Sequence, residues 1–213
     1  MRITVLGGTG YAGGAVVAEA ARRGHEVRSV SRSAPAAVAD GVEYVHGSVL
    51  EEEFLASVLD GADAVFETLS PRGDLEGRLE GVFRSLMGLA DRGGIRLGVM
   101  GGASSMLVSE GGPRTYDLNP PLPEHKPEAD LGIWKLEVLQ ASPASLDWFY
   151  LSPGANFGAW FPQQSTGGYR LGRDVLLYDE SGESHITASD LALAVVDEFE
   201  TPAHRRMRFH AAV

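Results

Sequence analysis

The chain has 213 residues, of which 44% are hydrophobic and 22% charged, the composition of one ordinary globular domain. Its 29 acidic residues against 18 basic ones leave a formal charge of −11, which repels phosphate backbones and argues against a nucleic-acid partner. Cysteine is absent, so disulfides, thiolate metal ligands and a cysteine nucleophile are excluded together.

No apolar run approaches the roughly 20 residues that cross a bilayer. The opening Met1-Arg2-Ile3-Thr4-Val5-Leu6 runs straight into a strand-like segment and then glycines, unlike a secretory signal. The expectation is a cytoplasmic protein with no membrane partner.

In chain order, Ile3 to Leu6 reads as a strand, and Tyr11 to Arg23 as a helix with Val16, Val17 and Ala20 on one side, stopped by Gly24. Val27 to Val30 and Val42 to Val45 are further strands. Glu51 to Leu59 is a helix whose acidic start suits the macrodipole. Ala64 to Thr68 is a fourth strand, Leu75 to Asp91 a long helix closed by Gly93-Gly94, and Leu97 to Met100 a fifth strand. A proline-rich loop leads into a helix from about Pro127 to Gln140, and Leu146 to Leu151 is a sixth strand. Thr166 to Tyr178 reads as a hairpin or irregular lobe. Ser189 is placed to cap a helix over Asp190 to Glu200, and Met207 to His210 is a last strand.

Strands alternating with helices, apolar on both faces, predict an α/β fold: a Rossmann-like, doubly wound, mostly parallel sheet with helices on both faces. The whole of 1–213 is expected to form one domain, with about 153–188 contributing a small C-terminal substrate lobe. Ligands of such sheets bind beyond the carboxyl ends of the strands.

The segment Gly7-Gly8-Thr9-Gly10-Tyr11-Ala12-Gly13 lies between the first strand and the first helix. Glycines at Gly7, Gly10 and Gly13 permit a tight turn, close backbone approach to a pyrophosphate, and tight helix–strand packing, while the helix N-terminus offers free N–H groups to the anion. The second strand ends in Val30-Ser31-Arg32-Ser33, with no acid between Val27 and Ala39. An unphosphorylated ribose is usually met there by Asp or Glu, whereas a guanidinium and hydroxyls suit a 2′-phosphate. NADP(H) is therefore expected in preference to NAD(H), through Ser31, Arg32 and Ser33.

The glycine segment and Ser31-Arg32-Ser33 resemble the atypical short-chain dehydrogenase/reductases. Val99-Met100-Gly101-Gly102-Ala103-Ser104-Ser105, Asp147-Trp148-Phe149-Tyr150-Leu151-Ser152-Pro153, Gly168-Tyr169-Arg170-Leu171-Gly172 and Ser184-His185-Ile186 narrow the likeness to the NADH–flavin reductase group. That group is related to biliverdin IXβ reductase and, more distantly, to NmrA-like NAD(P)H-binding proteins. The resemblance implies a seven-stranded Rossmann-like sheet, nicotinamide binding and hydride transfer to a flavin. Two departures stand out. Gly47-Ser48 replaces the group's Gly-Asp, leaving Ser48 and Val49 near the adenine, and Ser104 stands at a customary glycine, with Ser105 as the group's serine.

Tyr-x-x-x-Lys, the usual acid of short-chain dehydrogenases, is absent: the only lysines are Lys126 and Lys135, and neither follows a tyrosine by four residues. A flavin accepts hydride directly and solvent supplies the proton, so positioning alone suffices. Thr68, Leu69 and Ser70 are expected at the nicotinamide ribose, Gly101 beside the nicotinamide with Ser104 and Ser105 as candidate catalytic hydroxyls toward the carboxamide or the acceptor, and Ser152, Pro153, Gly154 and Ala155 over it. Asn156, Phe157 and Trp160 are the candidate acceptor contacts, the rings by stacking, and His125 is a candidate proton donor.

The six histidines show no His-Glu-x-x-His or close pairing, so no metal is expected. The function expected is an NADPH-dependent reductase of flavin (FMN, FAD or riboflavin as substrate, not as a tightly bound cofactor) or a similar flat acceptor. The alternatives are an NADP-sensing, NmrA-like regulator without catalysis and a nicotinamide-dependent epimerase or isomerase.

Overall fold

The computed structural model describes residues 1–35 and 38–213. Its strands are β1 (Arg2–Leu6), β2 (Glu26–Ser31), β3 (Val42–His46), β4 (Ala64–Glu67), β5 (Arg96–Met100), β6 (Trp148–Pro153), β7 (Arg170–Gly172) and β8 (Met207–Ala212). Its helices are α1 (Tyr11–Arg22), α2 (Glu52–Leu59), α3 (Leu79–Gly93), the single turn α4 (Thr115–Leu118), α5 (Lys126–Gln140) and α6 (Ala188–Glu200). The strands form one sheet in the order β3-β2-β1-β4-β5-β6-β8-β7, parallel throughout except for β7. Strand order reverses beside β1, the switch point at which such folds take their ligands.

The alternation within β6 shows why the sheet is covered on both sides. Trp148 and Tyr150 point into one apolar cluster with α2, α3 and α5, while Phe149 and Leu151 point into another with α1 and α6. Helix α1 buries Ala12, Val16, Val17 and Ala20 as one stripe. It stops where Gly24 takes φ +82° and the N–H groups of Gly24 and His25 return to the carbonyls of Ala21 and Ala20.

Four expectations need correction. The sheet has eight strands, because residues Arg170–Gly172 of the expected irregular lobe pair antiparallel with β8. The third long helix begins at Leu79, not Leu75: Gly77, at φ +68°, interrupts it, and Gly73–Leu75 forms a separate 3₁₀ turn. The sixth strand begins two residues later than expected and runs through Pro153. Helix α6 is capped by Thr187, whose Oγ1 accepts from the Asp190 N–H at 3.0 Å, while Ser189 is an exposed residue of the first turn.

Candidate functional site

A cavity of about 800 Å³ opens at the carboxyl edge of the sheet, between the glycine loop, the segments after β4, β5 and β6, and helix α5. Gly7 takes φ +87°, and a Cβ on it would stand 2.9 Å from the Thr68 carbonyl oxygen. A Cβ on Gly13 would stand 2.3 Å from the Gly7 carbonyl oxygen. These two glycines let β1, α1 and the β4 segment close on one another without a side chain between them. Gly10 is the N-cap of α1, which has neither a side-chain cap nor an acid in its first turn, so the positive helix end faces the cavity undiminished.

The residues fit a dinucleotide on two observations: the uncapped start of α1 at Gly10, which lines the cavity with no side chain in front of it, and the Ser70 hydroxyl, which lines the cavity buried and without a hydrogen-bond partner among the described residues. Of the expected contacts, Gly10, Tyr11, Ala12, Thr68, Leu69 and Ser70 line this cavity from its first half. Gly101, Ser104, His125, Pro153, Gly154 and Ala155 line the other side, together with Phe157 and Trp160. Phe157 packs on Tyr11 with ring centroids 5.2 Å apart, and Trp160 is 68% exposed at the rim.

Several expected residues stand elsewhere. Ser105 is buried outside the lining and accepts from Arg208 Nη1 at 3.0 Å on its hydroxyl and 2.9 Å on its carbonyl, which makes it a brace of the loop after β5. Asn156 donates its amide to Glu183 Oε2 at 2.6 Å, turned from the cavity. Ser152 is fully buried, and its carbonyl lies 2.9 Å from His210 Nδ1. Val49 packs its side chain into the core, while Ser48 forms the turn into α2 with its carbonyl accepting from Glu51 N–H at 3.1 Å. At the end of β2 the Ser31 hydroxyl donates to the Ser33 carbonyl at 2.6 Å, and Arg32 ion-pairs with Asp74.

Sequence reasoning missed the cavity's charged floor. Lys135 of α5 lines the cavity, 3% exposed, and pairs with the equally buried Glu67 at the end of β4. Four residues before it stands Leu131, also in the lining, where a dehydrogenase would carry tyrosine. Tyr150 is fully buried, donates to the Gly132 carbonyl at 2.9 Å and has its phenol pushed up to about 12 by burial, so it stays protonated near neutral pH with its proton engaged outside the cavity lining. Gly101 exists for this ring: a Cβ there would fall 2.1 Å from it.

The segment that follows Phe157 and Trp160 is tied to α6. The buried Asp190 accepts from Ser165 Oγ at 2.6 Å and from the N–H groups of Thr166 and Gly167 at 3.1 and 3.0 Å. Burial raises this carboxyl, but the hydrogen bonds from Ser165, Thr166, Thr187 and Gly167 prevail and hold it below its ordinary value. Among the described residues no group of three or more His, Asp or Glu is arranged to hold a metal, and no helix is long and apolar enough to cross a membrane.

The fold and cavity define a doubly wound dinucleotide-binding protein. The comparisons then give the family: residues 7–202 match the NAD(P)H-binding family, to which the chain belongs. It is an NAD(P)H-binding chain with an oxidoreductase-like Rossmann fold. It is 33% identical to the Bacillus subtilis protein YwnB over 98% of this chain and 97% of that one. Among solved structures, a provisionally named NADH-flavin reductase from Streptococcus pneumoniae is 28% identical with TM-score 0.82, covering 100% of this chain and 99% of its own. A provisionally named epimerase from Bacteroides thetaiotaomicron is 30% identical with TM-score 0.87, covering 99% and 96%. A short-chain dehydrogenase/reductase from Veillonella parvula in complex with NADP, at 15% identity and TM-score 0.71, shares the fold.

Proposed function

We propose that this protein is an NADPH-dependent reductase that delivers hydride to a flavin or a similarly flat, conjugated acceptor. The observation that carries the reading is the cavity itself: the open helix end at Gly10 on one side, the aromatic pair Tyr11–Phe157 and the rim residue Trp160 on the other. When bound, the reduced nicotinamide supplies the hydride. The backbone N–H groups at the start of α1 hold the pyrophosphate, and Arg32 meets the 2′-phosphate. Ser70 would offer its hydroxyl to the nicotinamide ribose, and Phe157 and Trp160 would hold the acceptor ring.

The chain lacks a tyrosine four residues before Lys135, and Tyr150 is locked in the core, so the Tyr–Lys pair that protonates an alkoxide in the short-chain dehydrogenases is not built here. This favours an acceptor that needs alignment more than a positioned acid. Steady-state NADPH oxidation with added FMN or riboflavin tests the proposal. Turnover that rises and saturates with flavin is the expected result; cofactor binding without oxidation would contradict it.

A further inference from the structure

The sequence places no carboxylate between Val27 and Ala39, yet the fold brings one to the end of β2. Asp74, in the 3₁₀ turn after β4, ion-pairs with the Arg32 guanidinium. The backbone sets this meeting: Gly73 takes φ +63°, and a Cβ on it would lie 3.7 Å from Arg32 Nη1, so the turn itself rests against the arginine. Both side chains are close to half exposed, 46% and 45%, and so remain within reach of a ligand.

We propose that Asp74 determines the cofactor choice of this protein, by holding Arg32 in competition with the 2′-phosphate of NADPH. The inference rests on the reading of Arg32 as the 2′-phosphate ligand and deepens it. An exposed ion pair is weak, so a phosphate can take the guanidinium from Asp74. A phosphate offers the stronger, bidentate partner, but the displaced carboxylate stays on the same turn and repels the incoming dianion. An unphosphorylated ribose carries no charge and leaves the pair undisturbed. Asp74 therefore works against NADPH and is neutral toward NADH, and the preference the arginine alone would give is held down.

The test measures dissociation constants of NADPH and NADH for the parent, Asp74→Asn and Arg32→Ala, with Asp74→Ser as a second variant should the asparagine protein fold poorly. Removing the carboxylate is expected to tighten NADPH by about three- to tenfold, the scale of an exposed pair plus a like-charge contact. NADH should stay within about twofold, and the gain should shrink at high salt. Arg32→Ala should weaken NADPH alone. If Arg32→Ala weakens NADPH while Asp74→Asn and Asp74→Ser leave it unchanged, the inference fails and the arginine assignment stands. Weaker NADH binding in the Asp74 variants would also overturn it, by making Asp74 an acceptor for the ribose hydroxyls. If Arg32→Ala leaves NADPH unchanged, the arginine assignment fails and takes the inference with it.

Discussion

Lys135 Nζ donates to both carboxylate oxygens of Glu67 at 2.8 Å, and the two side chains are buried together where Lys135 lines the cavity. Glu67 Oε1 also accepts from the Leu69 N–H at 3.0 Å, so the pair ties α5 to the segment that carries Thr68, Leu69 and Ser70. Removing one partner strands a buried charge, which costs about 3–5 kcal/mol. Lys135→Met alone should therefore lower stability by that order in denaturant unfolding, and Glu67→Gln together with Lys135→Met should recover much of it. A single variant as stable as the parent would show that the pair is not buried as a pair.

Gly10 is the position at which to test the cofactor loop. A Cβ there meets only the Gly7 carbonyl oxygen, at 3.2 Å, whereas one on Gly13 collides at 2.3 Å and would disturb the fold. Gly10→Val should keep its thermal transition and lose NADPH binding, because the side chain occupies the anion's approach to α1. A folded Gly10→Val protein with parental affinity would move the pyrophosphate elsewhere.

Arg32→Ala should weaken NADPH by roughly 1.5–3 kcal/mol, the scale of a hydrogen bond to a charged group, and leave NADH nearly unchanged. Isothermal titration of both cofactors decides it. Equal losses for the two would mean that Arg32 acts through the fold, and a parent that prefers NADH would overturn the NADPH assignment.

The rate with flavin should vary little between about pH 6 and 8, the range in which an ordinary histidine titrates. Tyr150, pushed up to about 12, lies outside that range. Phe157→Ala and Trp160→Ala should chiefly raise KM. Ser105→Ala should cost less than about 100-fold in kcat, below the upper part of the range for a positioned proton donor, in keeping with its place outside the cavity lining. A fall in kcat near pH 6.5 that vanishes in His125→Gln would identify His125, which lines the cavity, as the acid.

Asp190 should contribute to the acid side of stability. Its folded carboxyl lies below its unfolded value of about 3.9. The stabilisation is thus complete above about pH 5 and is lost as pH falls through the folded value. Asp190→Ala should destabilise the protein at pH 7 and narrow its difference from the parent as the medium is acidified. An unchanged gap down to the acid transition would show that the carboxylate form is not what holds Ser165, Thr166 and Gly167.

Much of the fold is legible in the sequence, because the signals are local. The apolar runs of β1, β4 and β5 and the glycines after β1 report strand, turn and helix within a few residues of themselves. Thr187 was hidden by Ser189, an equally good cap two residues away. Strand β7 has three residues and exists through its pairing with β8, which no local pattern announces. The neighbourhood of the cavity is legible where backbone carries it, as in the β1–α1 turn at Gly7, Gly10 and Gly13. It was not legible where side chains far apart in sequence choose one another: Lys135 with Glu67, Asp74 with Arg32, Arg208 with Ser105. Asn156 was misplaced for the same reason, since Glu183 claims its amide.

The most direct measurement is an anaerobic single turnover, with NADPH carrying deuterium at the transferred position and enzyme in excess over riboflavin or FMN. The proposed function predicts that flavin bleaches at the rate at which NADPH is consumed, that the deuterium slows both equally, and that Phe157→Ala slows the reaction only at low flavin. NADPH bound tightly beside a flavin that stays oxidised would contradict the reductase and point to a protein that senses NADP without turning it over.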